Sequence, residues 1–215
     1  MPYSDEVKPY TFRFVVLADQ VDSRTESDRV PSALETLAGV GMTLPYERTA
    51  GDEIQGLAAT GSAVVASIVA LTRLDGWRIG IGVGTVDEPL PTSTRAARGD
   101  AYLAARTAIS AARRSPVELS LTPADSVRAG GYGEFVEDAE TALWLLRGTL
   151  ARRSAEGWEL MDLLDAGLTN AQAAASLGIS PSAVSQRLAR AARTEGSRGA
   201  LLATRLLDRI TEVSP

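Results

Sequence analysis

The sequence contains neither cysteine nor histidine in its 215 residues. The absence of cysteine excludes a disulfide framework and a thiol nucleophile, and the absence of histidine excludes an imidazole acid or base. Together the two absences exclude a zinc site built from cysteine and histidine ligands. The chemistry that remains open to this chain uses carboxylates, hydroxyls, arginine and metal ions bound by carboxylates.

The sequence also lacks a long apolar run and, in its first residues, the pattern of a signal peptide. Its longest apolar run, residues 61–71, is too short to cross a bilayer and contains Ser62 and Ser67. The first eight residues carry acidic side chains and lack the basic-then-apolar pattern of a signal peptide. We therefore expect a cytoplasmic protein with no membrane partner.

The chain has no overall excess of positive charge, but its charge is unevenly distributed. The 22 basic and 27 acidic residues give a net charge of −5. Residues 147–215 hold nine arginines and seven acidic residues, so the preceding residues carry −7. An acidic body joined to a locally basic C-terminal segment is typical of a sensor or scaffold joined to an anion-binding module. A solvated helical face is the alternative interpretation.

The hydrophobic pattern of the first part of the chain predicts an α+β domain. Strands are predicted over residues 11–18, 44–49, 54–58, 77–86 and 117–121, and helices over 27–40, 62–74 and 99–113. The order β-α-β-β-α-β-α-β is typical of the ferredoxin-like arrangement, an antiparallel sheet with helices on one face. Gly80, Gly82 and Gly84 alternate along one predicted strand. They allow close approach of a ligand or, alternatively, of a packed helix.

In the second part of the chain, from residue 137 onward, the hydrophobic pattern predicts helices only. An apolar stripe over residues 137–153 indicates a connecting or dimerising helix. We therefore divide the chain into a sensor and dimerisation domain (1–134), a connecting helix (135–155) and an all-α domain (156–215). The last helix carries an apolar stripe of Leu201, Leu202, Leu206 and Ile210. This stripe is predicted to pack within its own domain or against a partner's copy.

Residues 158–191 contain the most specific pattern in the chain. Gly167 suits the end of a first helix, Thr169 the cap of a second, and Ser180 with Pro181 the start of a third. Gly178 lies in the turn between the second and third helices. The segment "LGIS..AVSQRL.RA" resembles the helix-turn-helix of bacterial regulators and of the promoter-reading region of sigma factors. The resemblance covers about 30 residues and implies that the third helix reads double-stranded DNA.

Six residues in this segment or just after it are candidates for DNA contact. By their positions on the third helix, Ser182, Ser185 and Gln186 are assigned to base edges. Arg187, Arg190 and Arg193 are assigned to phosphates or to the groove edge. Two alternatives are a three-helix packing unit whose arginines are merely solvated, and a contact surface for RNA polymerase or another protein.

The N-terminal domain carries four short motifs in the order found in class III nucleotide cyclases. They are a strand ending at Asp19, "RTAGD" at residues 48–52, "WRIGIGVG" at 77–84 and "AAR" at 104–106. The variants "GDEIQGL", "IGIGVGTV" and "RGDAYLAAR" are more similar to the SatD-like family of bacterial proteins. The resemblance covers residues 11–115 and implies a cyclase-like fold.

The resemblance to cyclases implies roles for individual residues. Asp19 and Asp52 match the two carboxylates that hold Mg²⁺, and Arg106 matches the arginine that steadies the transition state. Tyr102 stands where an asparagine is expected. Arg48 replaces the base-reading lysine, and Arg95 falls where its acidic partner is expected. Three of six functional positions are therefore kept.

Three interpretations of this constellation stay open. Asp19 and Asp52 are turn residues, or they hold a metal–phosphate group in a site that binds a nucleotide without cyclising it, or the domain is an active cyclase. We predict a homodimeric, sequence-specific transcriptional regulator whose degenerate cyclase-like domain binds a nucleotide effector, with Mg²⁺ as an optional companion. No catalytic residue is assigned and no cofactor is required. The alternative is a metal-dependent nucleotide cyclase or related enzyme with an accessory helix-turn-helix.

Overall fold

The computed structural model describes residues 11–212, which form five strands and nine helices. The strands are β1 (Arg13–Gln20), β2 (Leu44–Arg48), β3 (Glu53–Ala58), β4 (Trp77–Gly84) and β5 (Leu119–Pro123). The helices of the first part are α1 (Val30–Leu37), α2 (Gly61–Leu74), α3 (Asp100–Ala112), α4 (Asp125–Ala129) and α5 (Gly133–Leu150). Those that follow are α6 (Ala155–Asp165), α7 (Asn170–Leu177), α8 (Pro181–Arg190) and α9 (Arg193–Glu212).

The five strands form one sheet in the order β2-β3-β1-β4-β5. The central strand β1 pairs antiparallel with β3 and β4, so that Val16 lies opposite Gly56 on one side and Ile81 on the other. The outer pair β4–β5 is parallel. The α+β class is confirmed, but the expectation of a wholly antiparallel sheet is wrong. The chain crosses over through α3 between β4 and β5 and therefore re-enters the sheet in the same direction.

The larger hydrophobic core lies between one face of the sheet and helices α1, α2 and α5. Alternate residues of the central strands enter it, including Phe14 and Val16 of β1 and Ile79 and Ile81 of β4, all fully buried. Successive side chains of a strand point to opposite faces, so the intervening residues face the other side of the sheet. Because both faces are covered, β1 and β4 have the nearly continuous apolar sequences that the hydrophobic pattern showed.

Helix α3 covers the opposite face of the sheet, so the expectation that all helices lie on one face is wrong. The glycines of β4 explain the difference. A Cβ atom at Gly82 would lie closer than 3.0 Å to backbone atoms of both Ala101 and Ala105 in α3. The helix therefore packs with its backbone almost on the strand, and Val15 and Leu17 of β1 complete this smaller core. The helix-packing interpretation of the glycines is confirmed.

Helices α5 and α9 pack in the same core as the sheet. Leu143 of α5 and Leu207 of α9 are fully buried in it, and Asp208 accepts a 2.6 Å hydrogen bond from the Gly61 N–H at the start of α2. The last helix thus returns to the body of the protein instead of packing on α6–α8. The division at residues 134 and 155 stays a prediction about independent units, but the main core extends across both positions.

Helices α6, α7 and α8 form a separate small core, and we call them the three-helix segment. The buried residues of this core are Leu160, Met161, Leu164, Ala173, Ala174 and Val184. Thr169 and Gln172 form a reciprocal capping box at the start of α7. Gly178 ends α7 in the left-handed conformation (φ 63°), and Ser180 caps α8 with Pro181 at its first position. The predicted caps and the turn glycine are confirmed.

The three-helix segment contacts the body through α2 and the end of α5. Arg73 donates two hydrogen bonds of 2.6 Å to the Asp162 carboxylate. The Trp158 ring lies near two guanidinium groups, with its centroid 4.3 Å from Cζ of Arg153 and 5.5 Å from Cζ of Arg73. Trp158 also packs against the main core of the body, so the contact has a polar and an apolar part.

Smaller differences concern the ends of elements. The predicted helix over residues 27–40 forms only over Val30–Leu37, the predicted strand over 117–121 begins at Leu119, and α4 was not predicted. Within residues 11–212, no helix combines the length and the apolar character needed to span a bilayer.

Candidate functional sites

The outward face of α8 carries the three residues assigned to base edges. Ser182, Ser185 and Gln186 are all exposed, whereas Val184 between them is fully buried. The Ser185 hydroxyl donates a 3.2 Å hydrogen bond to the Pro181 carbonyl, which leaves its oxygen lone pairs as the outward-facing group. The structure therefore brings these three side chains to one accessible surface.

The arginines assigned to phosphates do not all share one environment. Arg190 is exposed and Arg187 is half-buried. Both line a cavity of about 440 Å³, which we call the helical cavity; its lining residues are Arg152, Ser154, Glu156, Gly157, Arg187, Arg190 and Ala191. Arg193 lies at the start of α9 and is not among these residues.

Sequence reasoning missed Arg152. This residue follows the end of α5 and precedes the Ser154 cap of α6, so it lies outside the helix-turn-helix pattern. Only the fold brings it to the C-terminal turn of α8. The neighbouring Arg153 donates a 2.9 Å hydrogen bond from Nε to the Ala191 carbonyl, which fixes the α5–α6 junction against the end of α8.

The structure also brings Asp19 and Asp52 together. Asp19 is the penultimate residue of β1, and Asp52 lies in the turn between β2 and β3. The two carboxyl groups are near enough that the charge of Asp52 acts on the pKa of Asp19. Both line a cavity of about 210 Å³, which we call the carboxylate cavity; its lining residues are Asp19, Ala50, Asp52, Glu53, Arg106, Ile109, Ser110 and Arg113.

The two carboxyl groups have opposite tendencies to hold a proton. Burial raises the pKa of Asp19, and the charge of Asp52 raises it further. The hydrogen bond from Ser23 lowers the pKa of Asp52. A proton shared by the pair therefore resides preferentially on Asp19.

Two guanidinium groups accompany the aspartate pair. Arg78 of β4 lies 3.1 Å from the Asp19 carboxylate, and Arg113 at the end of α3 lies 3.7 Å from it. Arg78 is the cross-strand neighbour of Asp19, and Arg113 follows Arg106 by two helical turns. Sequence analysis missed Arg113, although its spacing from Arg106 on one helix would have pointed to it.

The donor set fits Mg²⁺ only together with a phosphate ligand. Mg²⁺ in proteins is held by one or two carboxylates plus substrate phosphates and water, and Asp19 and Asp52 supply two carboxylates. Within residues 11–212, no cluster of three or more acidic residues is arranged to hold a metal ion. In the structure Asp19 already interacts with Arg78 and Arg113, so an ion must compete with these cations.

Arg106 lies between the carboxylate cavity and a second cavity on the same side of the sheet. Its Nη1 is 3.7 Å from a Glu53 oxygen. The second cavity has a volume of about 410 Å³, and we call it the arginine cavity; its lining residues are Gln55, Arg95, Ala97, Arg98, Gly99, Tyr102, Leu103 and Arg106. Tyr102, which stands in place of the expected asparagine, lies 3.3 Å from the Thr94 hydroxyl, and burial raises its pKa.

Arg48 is not brought to either cavity. It pairs with Asp28, which precedes α1, and its cross-strand neighbour is Ile54 of the main core. Because paired residues of antiparallel strands share a face, Arg48 lies on the face away from α3. The adjacent Glu47 lies on the α3 side instead, where its carboxylate accepts hydrogen bonds from the Ser93 hydroxyl and the Arg95 N–H.

Comparison with known proteins adds little to this geometry. No protein-family profile matches the chain, and no curated protein matches it. The crystal structure of a regulator of polyketide synthase expression from Bifidobacterium adolescentis aligns with 16% identity and a TM-score of 0.26, over 95% of this chain and 82% of that chain. A likeness at this level carries no argument about function, which therefore rests on the residues described above.

Proposed function

We propose that this chain is a homodimeric, sequence-specific DNA-binding transcriptional regulator. The observation that carries the proposal is the arrangement of α7, the Gly178 turn and α8. In this arrangement Val184 anchors α8 in the small core of the three-helix segment, and Ser182, Ser185 and Gln186 stay exposed. Glutamine can bond bidentately to adenine in the major groove, and serine can bond to bases or phosphates. The three-helix segment thus serves as a helix-turn-helix with α8 as its recognition helix.

Capture of sheared genomic DNA by the purified protein, followed by sequencing of the retained fragments, tests this proposal. We expect enrichment of a few inverted-repeat sites by the wild-type protein. The variant Ser182→Ala/Gln186→Ala removes the base-reading groups without changing charge, so its selectivity should disappear while non-specific retention persists. Arg128→Ala on α4 is the matched control for surface substitution, because Arg128 is exposed on the body. Equal enrichment by the wild type and the double variant would overturn the proposal.

The homodimer follows from the operator geometry expected of such a segment. Inverted-repeat sites require two recognition helices about one turn of DNA apart, about 34–36 Å. Leu145 of α5 and Leu202 of α9 are exposed large apolar side chains, and they support a second protomer as their cover. Sedimentation equilibrium of the wild type should give twice the chain mass, and a monomer at all concentrations would contradict the dimer.

We further propose that the body is a ferredoxin-like, cyclase-like domain of the SatD-like type that binds a nucleotide as effector. Four of its strands lie in the order β2-β3-β1-β4, with α1 and α2 as the two crossings, which supports this fold. The adjoining carboxylate and arginine cavities support a polyphosphate ligand. Arg106 borders both cavities, and Arg95 and Arg98 add positive charge. Arg48 has no part in this site.

Calorimetric titration with ATP and GTP, each with and without Mg²⁺, tests the nucleotide site. A nucleotide phosphate that attracts Arg113 would release the Asp19 carboxylate from its contact with that arginine. Mg²⁺ should therefore bind together with the nucleotide and only weakly in its absence. The variant Arg106→Ala should lose nucleotide affinity, and Asp52→Asn should lose only the dependence on Mg²⁺. Absence of heat with both nucleotides would overturn the effector proposal. Metal-dependent turnover abolished by Asp52→Asn would instead establish the alternative enzyme.

A further inference from the structure

The helical cavity has the composition of a phosphate site. Three guanidinium groups, those of Arg152, Arg187 and Arg190, line it together with a single carboxylate, that of Glu156. None of these arginines has a carboxylate within 4.0 Å anywhere in residues 11–212. An excess of positive charge concentrated in a cleft of an otherwise acidic protein favours a polyanion.

The position of the cavity relative to the base-reading residues fits the DNA backbone. Ser182 and Arg190 are eight residues apart on α8, which corresponds to about 12 Å along a helix. The major groove is about 12 Å wide. When the N-terminal half of α8 faces base edges, its C-terminal turn therefore reaches the phosphates at the groove edge. Arg152 approaches the same edge from the α5–α6 junction.

The surrounding contacts hold this cleft in a defined shape. Arg153 fixes the Ala191 carbonyl, and the first turn of α6 packs closely enough on Ala191 that a Cβ atom at Gly157 would lie 3.4 Å from the Ala191 Cβ. The end of α8 and the start of α6 thus move together. A phosphate bound between Arg152 and Arg190 would therefore contact two elements whose backbones are held together.

We propose that Arg152, Arg187 and Arg190 form one clamp for a backbone phosphodiester of DNA and that Glu156 weakens it. This inference rests on the proposed DNA-binding function and adds to it a residue outside the helix-turn-helix pattern. Glu156 lines the same cavity as Arg187. Its negative charge opposes the phosphate, so its removal should tighten binding.

Fluorescence anisotropy with the captured site and with a scrambled duplex, each titrated over salt, tests the clamp. Each phosphate contact contributes about −0.9 to the log–log salt slope, so Arg152→Ala in a dimer should flatten the slope by about 1.8. The affinity loss should be equal for both duplexes, because a phosphate contact carries no sequence information. Arg152→Lys should restore most of the slope, and Glu156→Gln should bind both duplexes more tightly.

The control variants distinguish failure of the phosphate clamp from failure of the proposed DNA-binding function. Arg128→Ala should leave the slope unchanged. A wild-type protein that binds DNA with the same slope as Arg152→Ala would overturn the clamp and leave the regulator proposal standing. A wild-type protein that binds neither duplex would overturn both. Calorimetric binding of inorganic phosphate, lost in Arg152→Ala while DNA affinity is retained, would reassign the cavity to a free anion and also overturn the clamp.

Discussion

The carboxylate cavity and the helical cavity both contain arginines, but the two differ in how their charge is balanced. In the carboxylate cavity, Arg106 and Arg113 lie within 3.7 Å of Glu53 and Asp19. In the helical cavity, the three arginines have no carboxylate at such a distance in the part of the chain that the structure describes. The arginines of the carboxylate cavity are neutralised by neighbouring carboxylates, whereas those of the helical cavity are not. Only the helical cavity should therefore attract DNA without a bound metal ion.

The supports of the two cavities differ as well. Helix α3, which lines the carboxylate cavity, packs with its backbone on the glycines of β4. Helix α8, which lines the helical cavity, has only one fully buried side chain, Val184. A site on a closely packed element is held rigidly, whereas a site on a lightly packed element opens at a lower free energy. The body therefore suits a preformed ligand site, and the segment suits a surface that adjusts on DNA.

The largest expected effect comes from Gly82→Ala. The added methyl group overlaps backbone atoms of Ala101 and Ala105, so α3 must move off the sheet. We expect a loss of about 3 kcal/mol in the free energy of unfolding, measured by urea denaturation, and loss of nucleotide binding. Gly39→Ala is the matched control, because no heavy atom lies within 4 Å of the new methyl group. Equal stability of the two variants would show that α3 is not locked to β4.

Val184→Ala should destabilise the three-helix segment by about 2 kcal/mol, since the variant leaves a cavity in a small core. The effect should be local. Hydrogen exchange should accelerate at the amides of α7 and α8 and stay unchanged at those of β1. DNA affinity should also fall, because α8 loses its support. Faster exchange in β1 as well would contradict the contrast between the two regions, because it would mean that they unfold as one unit.

The sequence predicted local structure better than it predicted the placement of elements. The caps at Thr169 and Ser180 and the turn at Gly178 depend on residues close in the chain, and all three were found. The side of the sheet on which α3 packs depends on backbone contact between β4 and α3, which hydrophobic periodicity does not contain. The return of α9 to the body also rests on long-range contacts, such as that between Asp208 and Gly61.

The candidate sites show the same division. The resemblance to cyclases implied that Asp19 and Asp52 share one site, and both line the carboxylate cavity. Arg48 was misplaced because a single position along a strand changes the face, and Glu47 takes the side toward α3 instead. Arg152 was missed because it reaches α8 only through tertiary packing at the α5–α6 junction.

The contact between segment and body should contribute less than either core. Arg73 and Asp162 form two good hydrogen bonds, but their side chains are 43% and 52% exposed, so solvent screens the pair. A double-mutant cycle with Arg73→Ala and Asp162→Ala should give a coupling free energy of about 0.5–1 kcal/mol in urea denaturation. A coupling above about 2 kcal/mol would indicate that the segment is docked as firmly as the body is packed.

The smallest expected effect is the pH dependence caused by the aspartate pair, because its two members act in opposite directions. The raised pKa of Asp19 stabilises the fold below the ordinary aspartate pKa, and this contribution is lost as pH rises through the raised value. The lowered pKa of Asp52 contributes above its ordinary pKa and is lost as pH falls. Asp19→Asn removes the first contribution, so its unfolding free energy should rise relative to wild type as the pH increases from about 4, the ordinary aspartate value, through the raised pKa of Asp19. Asp138→Asn, on the exposed face of α5, controls for the loss of one acidic charge. A constant difference between Asp19→Asn and wild type across that range would mean that Arg78 and Arg113 fully offset the burial of Asp19, so that Asp19 ionises in the folded protein as it does in the unfolded chain.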